Sequence, residues 1–331
     1  MDSVKVLLCS PDDGIMVDTI TSVLRSGGLS PEVEVVEDKD DAAAIRKAIV
    51  DSVLVYPNKA VITRDMIASA ESLRLIHCGT GFDTVDLEAA RDHGIPVCAT
   101  GDAMARSTAE HTLLLILALA KGIGKSLMDM RNGNWIQDRG VELGGKVLGL
   151  YGFGNIGRMV AKMAHGLDMQ ILATRRHPEA GNSGLDYVSI VSGEELLERA
   201  DILSLHLPLV TTSKDSTRGL IGEGELCRFG ASGLAWLVNT ARGAIIDEAA
   251  LVLALQDGTI KKAALDTFPV EPLPPDHILR SLPSVLLTPH IAGETVGALT
   301  ERYTRIARNL LRILHGKEPH NAVIIPDQKT V

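Results

Sequence analysis

Residues 146–158 read Lys-Val-Leu-Gly-Leu-Tyr-Gly-Phe-Gly-Asn-Ile-Gly-Arg, and no other segment says as much about the architecture of this chain. An apolar, strand-like run leads directly into the pattern G-x-G-x-x-G, and a helix-forming run follows. In such a unit Gly152 permits the tight turn, Gly154 lets the backbone approach a pyrophosphate, and Gly157 allows the helix to pack closely on the strand. The start of the helix adds N–H donors and partial positive charge. The segment therefore predicts a dinucleotide site, although an ordinary glycine turn is the alternative.

The end of the next strand bears on which dinucleotide binds. The strand Ile171–Thr174 is followed by Arg175-Arg176-His177-Pro178, and no carboxylate stands where one would hydrogen-bond the ribose 2′-hydroxyl of NAD. Guanidinium groups at this position suit a 2′-phosphate. The sequence predicts a preference for NADP(H), with NAD(H) as the second cofactor. The alternative is that both arginines are solvated loop residues.

Short apolar runs alternate with helical segments on both sides of this motif, which is typical of parallel βαβ units. The strands are predicted at Val4–Cys9, Glu32–Val36, Ser52–Tyr56, Leu73–Cys78, Pro96–Cys98, Lys146–Tyr151, Ile171–Thr174, Ile202–His206, Leu234–Asn239, Lys262–Leu265 and Val285–Thr288. One long helix is predicted from Ala103 to about Met130, and another from about Val296 to His315. A long helix at each junction suggests that the chain crosses twice between two α/β units.

Composition limits the classes of function. The chain has 331 residues, of which 45% are apolar and 23% charged, and its formal net charge is −9. This composition excludes disorder and a disulfide scaffold, and the net charge disfavours nucleic acid or an anionic membrane as a partner.

The cysteines (Cys9, Cys78, Cys98, Cys227) form no C-x-x-C pair and no zinc spacing, so we expect reduced thiols and no metal. No secretory pattern opens the sequence, and the longest apolar run is too short to span a bilayer, so we expect a cytoplasmic protein.

Three ionisable residues follow predicted strands and could form one catalytic group. They are Arg242 after Leu237-Val238-Asn239, Glu271 in a proline-rich loop, and His290 after Thr288-Pro289. An arginine can hold a carboxylate in a bidentate fork, and a histidine can protonate a carbonyl oxygen. A glutamate on the other imidazole nitrogen would fix the tautomer and favour the charged ring. Each residue alone is more often a surface or loop residue; the three together, after a dinucleotide loop, are more specific.

At this point the chain resembles the D-isomer-specific 2-hydroxyacid dehydrogenases. The resemblance rests on residues 78–86, 109–111, 152–157, 206–209, 239–243 with 247–248, 265–272 and 288–290. It implies two Rossmann-like, doubly wound parallel-sheet domains of the α/β class with an active-site cleft between them. The substrate-binding domain would comprise residues 1–103 and 296–331 and be flavodoxin-like, and the dinucleotide-binding domain residues 104–295. A homodimer held by about Ala103 to Val141 is also implied.

The family's catalytic residues fall on Arg242, Glu271 and His290. The backbone at Gly79, Thr80 and Gly81 would bind the substrate carboxylate, together with Arg242 and His290. The cofactor would be lined by Gly152, Phe153, Gly154, Asn155, Ile156, Gly157, Thr174, Arg175, Arg176, His206, Leu207, Pro208, Thr240, Ala241, Asp266 and Gly293.

Departures from the family pattern narrow the expected function. The two arginines resemble the cofactor loop of NADP-using glyoxylate/hydroxypyruvate reductases, whose key arginine falls on Arg176. Pro57 and His77 stand near positions where phosphoglycerate-using members carry arginines, although Lys59 or Arg74 could substitute. The His–Glu pair distinguishes the chain from formate dehydrogenase. Two loops, 210–218 and 229–236, are slightly longer than usual.

The expected activity is NAD(P)H-dependent reduction of a small 2-oxo acid to the D-2-hydroxy acid. Two alternatives stay open: a dinucleotide-sensing binding protein resembling the C-terminal-binding corepressors, and a 3-phosphoglycerate-type dehydrogenase. The presence of the whole catalytic set, Arg242, Glu271 and His290, favours the enzyme over the corepressor. For Glu110-His111 we expect a packed pair at a helix start, and for Trp135 ordinary packing rather than an interface or hinge role.

Overall fold

The computed structural model describes residues 3–79, 81–100, 102–211, 216–231 and 233–324. Thr80, one of the residues expected to bind substrate, lies outside these ranges, as do parts of the loops 210–218 and 229–236. The chain divides into two compact units, which we call the first unit (Met1–Met104 with Glu294–Val331) and the second unit (Ala105–Gly293).

The strands and helices alternate along most of the chain. The strands are β1 Ser3–Leu8, β2 Ser30–Val35, β3 Leu54–Tyr56, β4 Leu75–Cys78, β5 Val97–Ala99, β6 Val147–Tyr151, β7 Gln170–Thr174, β8 Val188–Ile190, β9 Ile202–Leu205, β10 Trp236–Asn239, β11 Lys262–Leu265, β12 Val285–Leu287 and β13 Ala322–Ile324. The helices are α1 Met16–Ser26, α2 Ala42–Ile49, α3 Arg64–Ser69, α4 Leu87–Asp92, α5 Ala105–Lys121, α6 Ile123–Arg131, α7 Asn155–His165, α8 Gly193–Arg199, α9 Glu223–Gly230, α10 Glu248–Gln256 and α11 Val296–Leu314.

The first unit is built on a six-stranded sheet of order β13-β5-β4-β3-β1-β2. Its first five strands run parallel in the order 2-1-3-4-5, as in flavodoxin-like folds, and β13 joins the edge antiparallel to β5. Helix α11 packs against α1 on one face of this sheet, where Leu299, Tyr303, Ile306 and Leu310 meet the buried side of α1. Core side chains lie on both faces of the sheet, which explains why β3 and β4 are buried along their whole length instead of alternating between buried and exposed residues.

The second unit is built on a seven-stranded sheet of order β12-β11-β10-β9-β6-β7-β8, and every pair in it is parallel. From β8 to β11 this is the 3-2-1-4-5-6 order of dinucleotide-binding folds, which reverses between β6 and β9. Ligands of open parallel sheets bind outside the carboxyl ends of the strands at such a reversal. The two sheets, which are parallel except for β13, confirm the predicted α/β class.

The structure corrects several local predictions. The helix predicted from Ala103 to Met130 is two helices, because Gly122 adopts a left-handed conformation (φ 60°) that ends α5 and begins α6. Trp135 does not pack into a core, since its side chain is 78% exposed. Glu110 lies on the surface of α5 and pairs with Arg106, so it is not part of a packed pair.

None of the helices in the described part of the chain combines the length and the apolarity needed to cross a membrane.

Candidate active site

The glycine turn after β6 has little room for side chains. Gly152 has a φ of 104°, and a Cβ added there would lie 2.5 Å from the carbonyl oxygen of His206. A Cβ added at Gly157 would lie 2.5 Å from the carbonyl oxygen of Gly152, so the helix can approach the strand only without one. Gly154 instead faces open space, with no atom within 4 Å of an added Cβ.

Helix α7 begins at Asn155 immediately after Gly154, and no side chain caps its N-terminus. Its first N–H groups therefore keep their donors available, and the partial positive charge of the helix end is not offset by a carboxylate. The turn and this uncapped end fit a dinucleotide pyrophosphate. Phe153 is buried under the turn, Ile156 is half-buried, and Asn155 accepts a hydrogen bond from Arg158 at 2.6 Å.

Other residues expected to line the cofactor lie at the carboxyl ends of the neighbouring strands. His206 follows β9, and its Nε2 lies 2.9 Å from Ser204 Oγ. Burial lowers the pKa of His206 to about 4, so the ring is neutral near pH 7. Leu207 is half-buried, and the carbonyl of the exposed Pro208 accepts a hydrogen bond from Thr217 Oγ1. Thr240 follows β10, and its Oγ1 lies 2.9 Å from Thr112 Oγ1 on α5.

The two arginines in the segment after β7 have different surroundings. Thr174 Oγ1 accepts a hydrogen bond from the Gly152 N–H at 3.2 Å and so joins the strand end to the glycine turn. Arg175 is half-buried and donates from Nη1 to the Gly181 carbonyl at 2.6 Å. Arg176 is exposed and makes no hydrogen bond or ion pair to any residue that the structure describes. Arg175 therefore holds its own loop, whereas the guanidinium of Arg176 faces solvent.

Glu271 and His290 form a close pair in the second unit. His290 Nδ1 lies 2.7 Å from Glu271 Oε2 and 2.9 Å from Oε1, and both side chains are about three-quarters buried. The Phe268 N–H donates to Glu271 Oε1 at 3.1 Å and fixes the carboxylate. His290 has a φ of 57°, which is unusual for a residue with a side chain and marks a position held by its surroundings. In this arrangement Nδ1 carries a proton and donates a hydrogen bond to the Glu271 carboxylate, and Nε2 points away from that carboxylate.

A buried carboxylate holds the segment that carries His290. Asp266, which is 0% exposed, accepts hydrogen bonds from the N–H groups of Ile291 and Ala292, each at 2.9 Å, and from Thr288 Oγ1 at 2.6 Å. His111 on α5 extends this network, because its Nε2 lies 3.2 Å from Thr288 Oγ1.

The sequence predicts neither this role for Asp266 nor that of His111. An isolated Asp after a strand gives no indication of which backbone groups it will accept from. Gly293, the last residue expected to line the cofactor, follows Ala292 directly and is half-buried.

Arg242 lies in the turn after β10, next to the Glu271 loop. Its Nη1 donates to the Ala241 carbonyl at 2.8 Å, and the turn is closed by Asn239, whose Nδ2 donates to the Arg242 carbonyl at 3.0 Å and whose Oδ1 accepts from the Ala241 N–H at 3.0 Å. The next residue, Gly243, touches the Phe268 backbone so closely that an added Cβ would lie 2.0 Å from its carbonyl carbon. The carboxyl ends of β10, β11 and β12 thus carry the segments with Arg242, Glu271 and His290.

Gly79 and Gly81 lie in the first unit, in the loop that follows β4. The Gly79 carbonyl accepts a hydrogen bond from the Thr100 N–H at 2.8 Å. Within the described residues, no group of three or more His, Cys, Asp or Glu side chains could hold a metal ion.

Known proteins place the chain in one family. The family model described as D-isomer specific 2-hydroxyacid dehydrogenase, NAD binding domain, matches residues 113–292. The chain is 40% identical to a glyoxylate reductase of Aeropyrum pernix over 78% of each sequence. The solved structure of the TT0316 protein from Thermus thermophilus matches 97% of this chain and 100% of that chain, with a TM-score of 0.85 and 34% identity. This chain belongs to the D-isomer specific 2-hydroxyacid dehydrogenase family, which confirms the resemblance.

Some relatives are considerably longer than this chain. The chain is 36% identical to a D-3-phosphoglycerate dehydrogenase of Methanocaldococcus jannaschii over 98% of this chain, but the match covers only 60% of that protein. Relatives with two different activities thus match this chain to a similar degree, so identity alone does not select a substrate.

Proposed function

We propose that this protein reduces a small 2-oxo acid to the D-2-hydroxy acid with a reduced nicotinamide dinucleotide. The observation that carries the proposal is the His290–Glu271 pair, with Nδ1 on the carboxylate and the segment around it fixed by Asp266. A bound nicotinamide would supply the hydride for C2 of the substrate. The glycine turn, the uncapped end of α7 and Thr174 are the residues that would hold the dinucleotide.

The side chains of the second unit would provide the remaining chemistry. His290 would donate its Nε2 proton to the C2 oxygen, while the charge of Glu271 stabilises the imidazolium before the transfer. Arg242 would bind the C1 carboxylate and stabilise negative charge on the C2 oxygen. The backbone N–H groups at Gly79 and Gly81 are proposed as further donors to the carboxylate. Addition of the hydride and one proton to the carbonyl balances the reaction.

The test is the oxidation of NADPH and NADH with glyoxylate, hydroxypyruvate, pyruvate, a branched 2-oxo acid and phenylpyruvate, followed by absorbance. We expect turnover of at least one acid, and His290→Ala should lower kcat by about a thousandfold, because general acid catalysis contributes about 10²- to 10⁴-fold. Cofactor affinity, measured by fluorescence titration, should stay within about twofold because His290 lies outside the pyrophosphate turn. Cofactor binding without turnover of any acid would favour the dinucleotide-sensing alternative, and unchanged kcat in His290→Ala would remove its role.

NADPH is the proposed preferred cofactor, with NADH as a weaker alternative. The support is the placement of Arg176, which follows the second strand of the sheet with an exposed guanidinium and makes no ion pair with a carboxylate of the described residues. Arg175 would contribute mainly by holding the loop through Gly181.

A homodimer is the proposed assembly. Large apolar side chains are exposed along one continuous segment of the second unit: Leu114 57%, Ile123 44%, Leu127 54%, Met128 57%, Met130 56%, Trp135 78% and Ile136 48%. Large exposed apolar side chains concentrated in one segment are typical of an interaction surface. Sedimentation equilibrium would give the mass of two chains, and the mass of one chain would refute the proposal.

A further inference from the structure

Arg302 is a buried cation that the proposed chemistry does not use. It lies on α11 in the first unit and is 8% exposed. Its Nη1 donates to the Tyr56 hydroxyl at 3.1 Å, and its Nε has no hydrogen-bond partner among the residues that the structure describes. The carboxylate of Glu294 is 3.9 Å from Nη2, beyond hydrogen-bond distance, and its side chain is 46% exposed. The buried guanidinium thus has N–H donors that no acceptor in the described part of the chain satisfies.

Such an arrangement is unfavourable unless an anion completes it. A guanidinium has five N–H donors, and a buried charge without matching acceptors destabilises the folded protein. Tyr56 supplies no negative charge, because burial raises the pKa of its hydroxyl. Arg305, one turn further along α11, shows the contrast: it contacts the carboxylates of Asp102 and Glu301 at 2.6 Å each. The more exposed arginine therefore lies within hydrogen-bond distance of two carboxylates, whereas the buried one has, among the carboxylates of the described residues, only the distant contact to Glu294.

The guanidinium lies beside the loop that is proposed to bind substrate. A Cβ added at Gly79 would lie 3.9 Å from Arg302 Cζ and 3.7 Å from the Tyr56 hydroxyl. The C1 carboxylate already has proposed partners in Arg242 and the loop backbone. A group carried on the carbons beyond C2 has none. Arg302 and Tyr56 offer that group one cation and one hydroxyl.

We propose that Arg302 recognises a second anionic group, a carboxylate or a phosphate, on the substrate beyond C2. The proposal rests on the proposed function and deepens it, because it names the favoured class of 2-oxo acids. These are acids with a second anionic group besides the C1 carboxylate, which we call dianions. Arg302 is on this view a specificity-determining residue, and the charge-assisted hydrogen bonds that a dianion makes to it would complete the buried guanidinium.

Two matched pairs of substrates test the proposal and separate the two anions. Oxaloacetate is compared with 2-oxobutyrate for a carboxylate, and 3-phosphohydroxypyruvate with hydroxypyruvate for a phosphate; glyoxylate, which has no carbon beyond C2, is the reference. The unmodified enzyme should prefer the dianion of at least one pair by about tenfold or more in kcat/KM. Arg302→Met should lower kcat/KM for that dianion by about a hundredfold and leave glyoxylate within about twofold. Arg302→Lys should recover part of the loss.

The control is Arg308→Met, which removes the same charge from an exposed position on the same helix. This variant should leave kcat/KM unchanged for the dianions and for glyoxylate. Competitive inhibition of the unmodified enzyme by succinate and by butyrate needs no variant, and succinate should bind at least about tenfold more tightly. The proposal is overturned if neither pair shows a preference for the dianion, or if Arg302→Met lowers kcat/KM for glyoxylate as much as for the dianion. Turnover of glyoxylate without a dianion preference removes this proposal alone, whereas no turnover of any acid removes the proposed function with it.

Discussion

The first βα turn of each unit follows the first strand of a parallel sheet, yet the two turns end in opposite ways. After β1 the chain reads Ser10-Pro11-Asp12-Asp13-Gly14, and Asp13 Oδ1 accepts the N–H groups of Ile15 and Met16 at 2.9 and 2.8 Å. After β6 the glycine turn leaves the end of α7 without a side-chain cap. In the first unit a carboxylate of the chain accepts hydrogen bonds from the N–H groups at the start of α1. In the second unit the N–H groups at the start of α7 have no such partner and remain for a ligand.

The second strand of each sheet repeats the contrast. Residues 37–41, after β2, read Glu-Asp-Lys-Asp-Asp, whereas β7 is followed by Arg175 and Arg176. One sheet therefore has carboxylates at both places where a dinucleotide would put its phosphates, and the other has N–H donors and guanidinium groups. Similar parallel topologies support different sites because a few turn residues set the local charge.

The strongest way to break the contrast is to close the open turn. Gly157→Val places a Cβ 2.5 Å from the Gly152 carbonyl oxygen, and that backbone cannot move without displacing the turn. We expect the affinity for NADPH and NADH, measured by fluorescence titration, to fall by more than about a hundredfold, since displacement by about 1 Å is enough for such a loss.

Gly14→Ala is the matched control in the first unit. Gly14 has a φ of 77° and open space around an added Cβ, so the substitution should cost about 1 kcal/mol of folding stability and leave cofactor affinity unchanged. Equal loss of affinity in both variants would mean that general destabilisation, and not the open turn, explains the effect.

The arginines give a smaller and more selective effect. Arg176→Ala should weaken NADPH by about a hundredfold, the equivalent of one or two charge-assisted hydrogen bonds, and change NADH by less than about twofold. NADH is the internal control because it lacks the 2′-phosphate. Equal weakening of both cofactors, measured as Kd and as KM, would contradict the contact with the 2′-phosphate.

The sequence predicts elements best where the pattern is long. The glycine turn and most strands were predictable because turn residues and apolar runs are local signals. Strands β8 and β13, which each have three residues and lie at an edge of their sheets, are missing from the prediction. The break at Gly122 is also missed, because a single glycine in an apolar helical pattern gives no sign that it will turn left-handed.

The site divides in the same way. The Glu271–His290 contact follows from the family motifs, but the hydrogen bonds of Asp266 and the incomplete pairing of Arg302 depend on residues far apart in sequence. Among candidate cations, the sequence favours Lys59 and Arg74; Arg74 donates to the carbonyls of Glu71 and Leu73, so it belongs to its own turn. An arginine inside an amphipathic helix such as α11 looks like any other surface charge until the packing is known.

A histidine with a lowered pKa in each unit sharpens the comparison further. Burial lowers the pKa of both His77 and His206 to about 4, from an ordinary 6.5. His77 lies within β4 and is 0% exposed, with Nδ1 on the Cys78 carbonyl at 3.0 Å and Nε2 accepting from Asn309 Nδ2 at 3.1 Å. The first contact needs a proton on Nδ1, which the neutral and the charged ring both provide, but the second needs an unprotonated Nε2, so protonation of the ring would break the second contact. His206, by contrast, has a single hydroxyl partner and lies one residue beyond its strand.

The smallest expected effect is therefore a dependence of folding stability on pH. The unfolded chain binds a proton at His77 near pH 6.5, whereas the folded chain resists it until about pH 4, so stability is retained above 6.5 and lost as the pH falls between these values. His77→Gln keeps one donor and one acceptor but cannot titrate. Between pH 7.5 and 5, measured by urea denaturation, the variant should lose about 2 kcal/mol less than the unmodified protein. His93→Gln, at an exposed position in the same unit, should not reduce the loss, and an unchanged loss in His77→Gln would show that other groups carry the acid sensitivity.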